Sequence, residues 1–203
     1  SGLTGFQYSC RTQRNSGQTG TADIGIVTSL ETSNSLIFAG QTITVSFWAK
    51  AGANFSPTSS RITVYVPSGT GTDQLRTFSA GFTGEAAVIN TTQAITTTWT
   101  RYSFTGSVGS SATQLAVYLA MAGTGTAGAN DWFEIAGVQM ELGSVATSFL
   151  RTGATIQGEL YACQYYFKRV QPSTAYAGPF GFGYSNTTTQ ARIQLNGFSQ
   201  QMR

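Results

Sequence analysis

The sequence predicts an all-β protein, and three observations support that prediction. Charged residues make up 9% of the 203 residues, against about 25% in an ordinary soluble protein. Gly accounts for 24 residues and Thr is abundant, whereas Lys, Glu and Leu, which favour helices, are scarce. Several segments rich in Thr, Val, Ile, Tyr and Phe alternate between apolar and polar residues, which is the period of a half-buried strand.

Four segments show this alternation clearly: Thr42–Lys50, Arg61–Val66, Trp99–Thr105 and Leu115–Ala120. The residues that we expect to face a common core are Ile43, Val45, Phe47, Ile62, Val64, Val66, Tyr102, Phe104, Leu115, Val117 and Leu119. A fifth segment, Trp132–Leu142, alternates up to Ala136-Gly137 and resumes at Val138 in the opposite phase. A glycine at a phase change predicts a β-bulge that shifts the register by one residue.

Loops rich in Gly, Ser and Thr separate these strands, at 52–60, 67–72, 106–111 and 123–130. Short strands joined by such loops predict an antiparallel β-sandwich of the jelly-roll type. We place this sandwich at residues 1–150. Residues 151–203 are predicted to form a connector, helical within Ile156–Val170 and a strand from Tyr165 onward, and then the start of a second, incomplete β region with strands at 176–184 and 191–198.

Several classes of function are excluded by composition. The chain has no histidine, so imidazole metal sites and His-dependent catalysis are absent. The net charge of +3 is spread thinly and forms no basic run, which argues against a nucleic-acid partner. No apolar segment reaches the roughly 18–20 residues of a membrane span. Neither a metal nor a cofactor is predicted.

The two cysteines, Cys10 and Cys163, lie far apart in the sequence and leave two alternatives open. They form either one long-range disulfide or two buried free thiols, and the composition favours the free thiols. As a nucleophile, Cys163 would need a base that no histidine supplies.

Paired carboxylates are the remaining route to catalysis. Asp131 and Glu134 flank Trp132 and are the candidate pair for a glycosidase cleft. The alternative is structural: Asp131 caps a turn in a loop, and Glu134 lies on a solvent-facing strand surface. The structural alternative is favoured, and no catalytic residue is predicted.

Aromatic residues on the polar faces of strands are the candidate binding residues. Trp48 and Tyr65 occupy such positions, and Arg61 lies close to Tyr65 in the sequence. An exposed ring can stack on a sugar, contact a neighbouring subunit or lie beneath a loop, and all three alternatives remain open. Trp48, Tyr65 and Arg61 are the predicted glycan-binding residues, whereas Trp99 and Trp132 are expected to be structural.

Two stretches resemble structural proteins of tailed bacteriophages, including tail fibres. They are Phe133-Glu-Ile-Ala-Gly-Val-Gln-Met-Glu-Leu-Gly143 within Gly128–Phe149, and Glu159-Leu-Tyr-Ala-Cys-Gln-Tyr-Tyr166. Residues 36–52 and 96–104 are similar to the same family. The resemblance implies a jelly roll similar to carbohydrate-binding modules, followed by a distal β domain, and it implies that the chain is an interior part of a longer protein. It also supports a free Cys163, because the corresponding cysteine of the family has no regular partner.

The chain departs from this family at a few positions. Ser148 and Leu150 replace the usual Pro and Glu, and Tyr165 replaces the usual Arg, all in the connector. Sugar-binding modules commonly carry an Asp where Ala136 and Gly137 stand, so a calcium ligand is not expected there.

The resemblance implies a non-enzymatic virion module, made in the host cytoplasm, that contributes to recognition of host-surface glycans. It implies a homo-oligomer, a trimer, with other virion proteins as partners. Two alternatives stay open: a purely structural module of a trimeric fibre, and a fragment of a polysaccharide-degrading tailspike.

Overall fold

The computed structural model describes residues 2–151, 153, 155–164, 181–187 and 190–195. The chain divides into two compact units, Ser1–Phe149 and Leu150–Arg203. The strands of the first unit are β1 (Cys10–Gln13), β2 (Asp23–Ser29), β3 (Thr42–Ala51), β4 (Arg61–Gly69), β5 (Ala86–Ala94), β6 (Thr100–Ser107), β7 (Gln114–Ala122) and β8 (Trp132–Leu142). A short helix, α1 (Thr32–Ser35), and 3-10 turns at Leu36–Phe38 and Thr58–Ser60 lie between them.

The eight strands form two antiparallel four-stranded sheets that pack as a sandwich. The first sheet has the strand order β1-β8-β3-β6, and the second has the order β2-β7-β4-β5. The predicted all-β sandwich is therefore confirmed. Strands β1, β2 and β5 and helix α1 lack a long apolar alternation and are not predictable from the sequence pattern.

The core lies between the two sheets and is built from the alternating residues. Ile43, Val45 and Phe47 of β3 are fully buried, and so are Ile62, Val64 and Val66 of β4. Both triplets face the core as predicted. Strand β7 is buried on both faces from Gln114 to Met121, because it lies in the middle of its sheet and a loop covers its outer side. Burial on both faces explains why its sequence reads as a nearly continuous apolar run.

The bulge predicted at Ala136-Gly137 is confirmed. Ser46 of β3 pairs with Gln139, but Trp48, two residues later, pairs with Ala136, so β8 contains one extra residue here. Gly137 has a φ of +57°, in the left-handed region that suits glycine. Without a bulge, the even-numbered Trp132 and Glu134 would face the opposite side from the odd-numbered Gln139 and Glu141. The extra residue places all four on the same outward face.

In the second unit, α2 spans Ile156–Gln164, and two antiparallel strands follow, β9 (Gly181–Thr187) and β10 (Gln190–Leu195). Arg151 and Glu159 form an ion pair beside α2. The strand predicted from Tyr165 onward begins outside the described residues. None of the described helices is long and apolar enough to span a bilayer.

Candidate functional site

All three tryptophans of the chain lie on the outer face of the first sheet. Trp48 points outward from β3, because Phe47 and Ala49 point into the core. Trp132 also points outward, at the start of β8, because its neighbour Phe133 is buried in the core. The Trp99 ring, just before β6, lies 4.9 Å from Nζ of the outward-facing Lys50. Each of the three indoles is only partly buried. We call this surface the tryptophan face; its members are Arg11, Trp48, Lys50, Trp99, Arg101, Trp132 and Glu134.

Cationic side chains lie against the indole rings. The guanidinium of Arg11 is 4.2 Å from the centre of the Trp132 ring, and Nζ of Lys50 is 5.6 Å from the same ring. Cation–π attraction at these distances holds the two long side chains along the ring surfaces. The two cations therefore cover part of the ring surface of Trp132 and Trp99 and place their hydrogen-bond donors beside the indoles.

Glu134 links the two cations. One of its oxygens lies 2.6 Å from Arg11 Nη2 and the other 3.2 Å from Lys50 Nζ. Burial alone would raise the pKa of Glu134, but the hydrogen bonds and charges of Lys50 and Arg11 outweigh burial and lower the pKa. Glu134 is therefore a fixed anion that positions both cations.

The other half of the outer face is covered by the segment that follows β8. Thr44 Oγ1 donates to the carbonyl of Gly143, at 2.7 Å. Arg101 donates through Nη2 to Ser46 Oγ and to the carbonyl of Thr147. Thr44 and Ser46 are consequently buried although they point away from the core. The bond from Arg101 to Thr147 extends this cover to the register partner of Trp48, whereas Trp48, Trp99 and Trp132 each stay partly exposed.

Tyr65 lies on the opposite sheet from Trp48, so these two predicted binding residues cannot line one site. Its hydroxyl donates to Glu85 Oε1 at 2.9 Å, and its ring packs against Tyr118. The guanidinium of Arg76 lies over both rings, at 5.6 Å from the Tyr65 centre. Burial, together with the Glu85 contact, raises the pKa of Tyr65. The loop between β4 and β5, which carries Arg76 and Glu85, thus covers Tyr65.

Arg61 is exposed at the start of β4, where its guanidinium donates to the carbonyl and hydroxyl of Thr92. It lines an open groove of about 440 Å³ together with Pro57, Thr63 and Thr124. This groove belongs to the second sheet and is separate from the tryptophan face. The structure therefore separates Trp48 from the other two predicted residues. Arg61 and Tyr65 share the outward face of β4, four residues apart, but bond to different partners.

The candidate catalytic pair is divided between two separate ion pairs. Asp131 is fully buried and accepts hydrogen bonds from Arg14, at 2.9 Å, and from the amide and hydroxyl of Ser56. Glu134 is bound by Arg11 and Lys50 on the tryptophan face. Glu134 lies on the outward face of its strand, as expected, but it is not solvent-exposed there, because only 6% of it is accessible beneath its two cations. Neither carboxylate is arranged to act on a substrate bound between them.

Both cysteines are free and exposed. The expectation of free thiols agrees with the structure, but the expectation that they are buried is wrong, because Cys10 lies on the edge strand β1 and Cys163 lies on an exposed part of α2. Among the described residues, no group of three His, Cys, Asp or Glu side chains is placed to hold a metal ion.

Trp99 and Trp132 are predicted from the sequence to be structural, and their place beside Trp48 is a finding of the structure. One signal was available: Trp48 and Lys50, like Trp132 and Glu134, are two residues apart and so share a strand face. The pairing of Lys50 with Glu134 and of Trp48 with Arg101 supplies what the sequence lacked, because it makes these faces one surface.

No model of a known protein family matches this sequence, and a comparison with curated proteins found no match either. Solved structures are similar in part. A structure described as "CBM4 structure and function" has a TM-score of 0.46 and 17% identity, over 68% of this chain and 73% of that one. The C-terminal domain of EclA, a sugar-binding protein, has a TM-score of 0.36 and 11% identity, over 68% and 81%.

A third similar structure comprises the CBM22-1 and GH10 modules of Clostridium thermocellum endo-1,4-beta-D-xylanase 10B complexed with xylohexaose. Its TM-score is 0.35 and its identity 10%, over 73% of this chain and 31% of that one. Similarity at this level says nothing about which ligand this chain binds.

Proposed function

We propose that the chain is a non-enzymatic glycan-binding module and that the tryptophan face is its binding surface. One observation carries the proposal: the three tryptophans of the chain share one partly open sheet face with Arg11, Lys50 and Arg101. Tyr65 and Arg61, the other two predicted binding residues, lie on the second sheet and are not part of this surface.

The chemistry of the face suits a sugar. The C–H face of a pyranose ring is apolar and stacks on an indole, whereas its hydroxyls need donors and acceptors at the rim. Trp48 supplies a ring in the middle of the sheet, and Arg101 is its register partner on β6. Lys50 lies two residues further along the same strand face, roughly 7 Å away. A sugar on Trp48 would therefore lie within reach of charged donors on two sides.

A shallow face of this kind binds one glycan chain weakly, and multivalent display raises the apparent affinity. Several copies on one particle increase binding by a factor of about 10²–10⁴ through effective concentration. We propose that the module works in this multivalent form.

The wider setting is a proposal from the sequence alone. The resemblance of Phe133–Gly143 and Glu159–Tyr166 to tail-fibre proteins supports a virion module, with other virion proteins as partners and a host-surface glycan as ligand. The competing role, a structural spacer in a trimeric fibre, predicts that a neighbouring subunit covers Trp48. Light scattering on the purified chain tests for the trimer, and a monomer at high concentration argues against an intrinsic trimer.

The direct test is a broad glycan array probed with the module displayed on a multivalent particle. We expect specific, competable binding to one glycan class, and a loss of at least about tenfold for Trp48→Ala. Tyr65→Phe is the matched control on the opposite sheet and should bind as the unaltered protein does. Equal binding by Trp48→Ala and the unaltered protein would contradict the assignment of the site.

A further inference from the structure

Positive charge is concentrated on the tryptophan face. Residues 1–149 contain six Lys and Arg side chains and seven Asp and Glu side chains, so this part of the chain has a slight negative charge. Three of the six cations, namely Arg11, Lys50 and Arg101, nevertheless lie on the outer face of the first sheet. Two others, Arg14 and Arg76, are ion-paired elsewhere. The distribution of charge therefore marks this face out from the rest of the unit.

The carboxylates nearby do not neutralise these cations. Arg11 and Lys50 share the single carboxylate of Glu134, which leaves one excess positive charge. The carboxylate of Glu141 accepts hydrogen bonds from the amide and hydroxyl of Thr147 and from Gln139. Arg101 forms no ion pair with any carboxylate among the residues that the structure describes, although its charge helps to lower the pKa of Glu141.

Arg101 is also placed as a binding group. It lines an open depression of about 350 Å³ whose other walls are formed by Tyr102, Ser103 and the segment 144–146. Its hydrogen bonds to Ser46 and Thr147 both leave from Nη2, and they hold the guanidinium in place. Trp48 does not line the depression itself, but it is the direct partner of Arg101 across β3 and β6, so the two side chains are neighbours on the same sheet face. An indole platform thus adjoins an anchored guanidinium that has no carboxylate ion-pair partner in the described part of the chain.

We propose that the glycan is acidic: its sugar ring stacks on Trp48, and its carboxylate lies in the adjacent depression and accepts hydrogen bonds from Arg101. This inference rests on the proposed function. A planar carboxylate matches the planar guanidinium fork and bonds to it more strongly than a neutral hydroxyl does. The excess charge of Arg11 and Lys50 attracts further acidic units of the same polymer toward the face.

The experiment compares acidic glycans with neutral forms of the same backbone. The probes are polygalacturonate, alginate, hyaluronate and polysialic acid, each beside its methyl-esterified or carboxyl-reduced form. A sulfated but carboxyl-free glycan is included. The multivalent protein is applied to each, and retention is measured at about 0.05 M and 0.5 M NaCl, between which screening of exposed charges increases strongly.

We expect at least one acid form to retain the protein about tenfold more strongly than its neutral partner, because a hydrogen bond to a charged group is worth that much. High salt should remove most of the difference. Arg101→Gln should abolish the preference, and Arg101→Lys, which keeps the charge but loses the fork, should weaken it. Arg61→Gln is the matched control, because it removes one positive charge from the opposite sheet. The comparison of acid and ester forms uses the unaltered protein, so it tests the acidic preference even if the Arg101 variants fold poorly.

Three outcomes would overturn the inference. Retention by esterified and acid forms alike, still dependent on Trp48, would leave the glycan-binding proposal intact and remove the acidic preference. Retention by the sulfated glycan alone would exclude the carboxylate. Retention by none of the glycans, acidic or neutral, would contradict both this inference and the proposed function.

Discussion

Arg14 forms a buried ion pair with Asp131, with Nη1 2.9 Å from Oδ2, and only 5% and 0% of the two side chains are exposed. The same guanidinium donates to the carbonyls of Gln18, Gly20, Thr124 and Gly125 and to Ser56 Oγ. One arginine therefore joins three loops, which contain Gln18, Ser56 and Thr124. They lie at the end of the sandwich where β8 begins with Trp132.

The first prediction concerns this pair. Arg14→Ala leaves the carboxylate of Asp131 buried without a counter-charge and removes the donors from several carbonyls. We expect the free energy of unfolding to fall by about 3–5 kcal/mol, measured by denaturant titration of the full chain. Arg61→Ala, an exposed arginine of the same unit, should change it by less than about 0.5 kcal/mol. A loss below about 1 kcal/mol for Arg14→Ala would show that the pair is not needed for stability.

The second prediction is a dependence of stability on pH through Glu134. Its pKa is lowered in the folded protein, so the unfolded chain binds more protons at mildly acidic pH. The stability that this group contributes is complete above its unfolded pKa of about 4.3 and is lost as the pH falls through the lower, folded value.

Glu134→Gln removes this contribution. The difference in unfolding free energy between the unaltered protein and this variant should be largest at neutral pH and shrink as the pH falls below about 4. Denaturant titrations at a series of pH values measure it. A difference that stays constant down to pH values well below the unfolded pKa would contradict the role assigned to the Arg11–Glu134–Lys50 contacts.

The third prediction tests the bulge. An alanine at position 137 would have to keep the positive φ of Gly137, and its Cβ would lie 2.5 Å from the Phe6 ring. We expect Gly137→Ala to reduce stability by about 1–2 kcal/mol from the backbone alone, with a further loss from the contact with Phe6. Gly109→Ala is the control, because nothing lies within 4 Å of its Cβ position. Equal stability of the two variants would mean that β8 does not require a glycine at its bulge.

The fourth prediction concerns the thiols. Because Cys10 and Cys163 are both free and exposed, two thiols per chain should react rapidly with a disulfide reagent such as DTNB, without denaturant. Cys10→Ser should reduce the count to one. If reaction occurred only after unfolding or reduction, the thiols would be buried or joined in a disulfide.

Much of the sandwich could be predicted from the sequence because its central strands carry a period-two pattern. β3 and β4 bury Ile43, Val45, Phe47 and their counterparts on one face, and burial on one face is what makes such a pattern visible. The edge strands were missed for the opposite reason. β1, Cys10–Gln13, is four residues long and has no fully buried residue, so nothing in its sequence distinguishes it from a loop.

The candidate site was only partly predictable. Trp48 was predictable as a binding residue because it is an aromatic residue on the polar face of a strand. The same pattern also selects Tyr65, which a loop covers. Whether an outward aromatic is open or covered depends on the course of loops distant in sequence, here the segments 70–85 and 143–149. Local alternation contains no information on those loops, and the pairing of β3 with β6 and β8, which gathers the tryptophans, is equally non-local.

Tryptophan fluorescence during glycan binding tests the tryptophan face most directly, because all three indoles of the chain lie on it and none lies in the core. With a glycan that the array identifies, we expect the emission to shift and quenching by acrylamide to fall, with the same midpoint as retention on the immobilised glycan. Trp48→Ala should lose most of this response. Saturable retention with unchanged emission and unchanged quenching would show that the glycan binds elsewhere and would contradict the assignment.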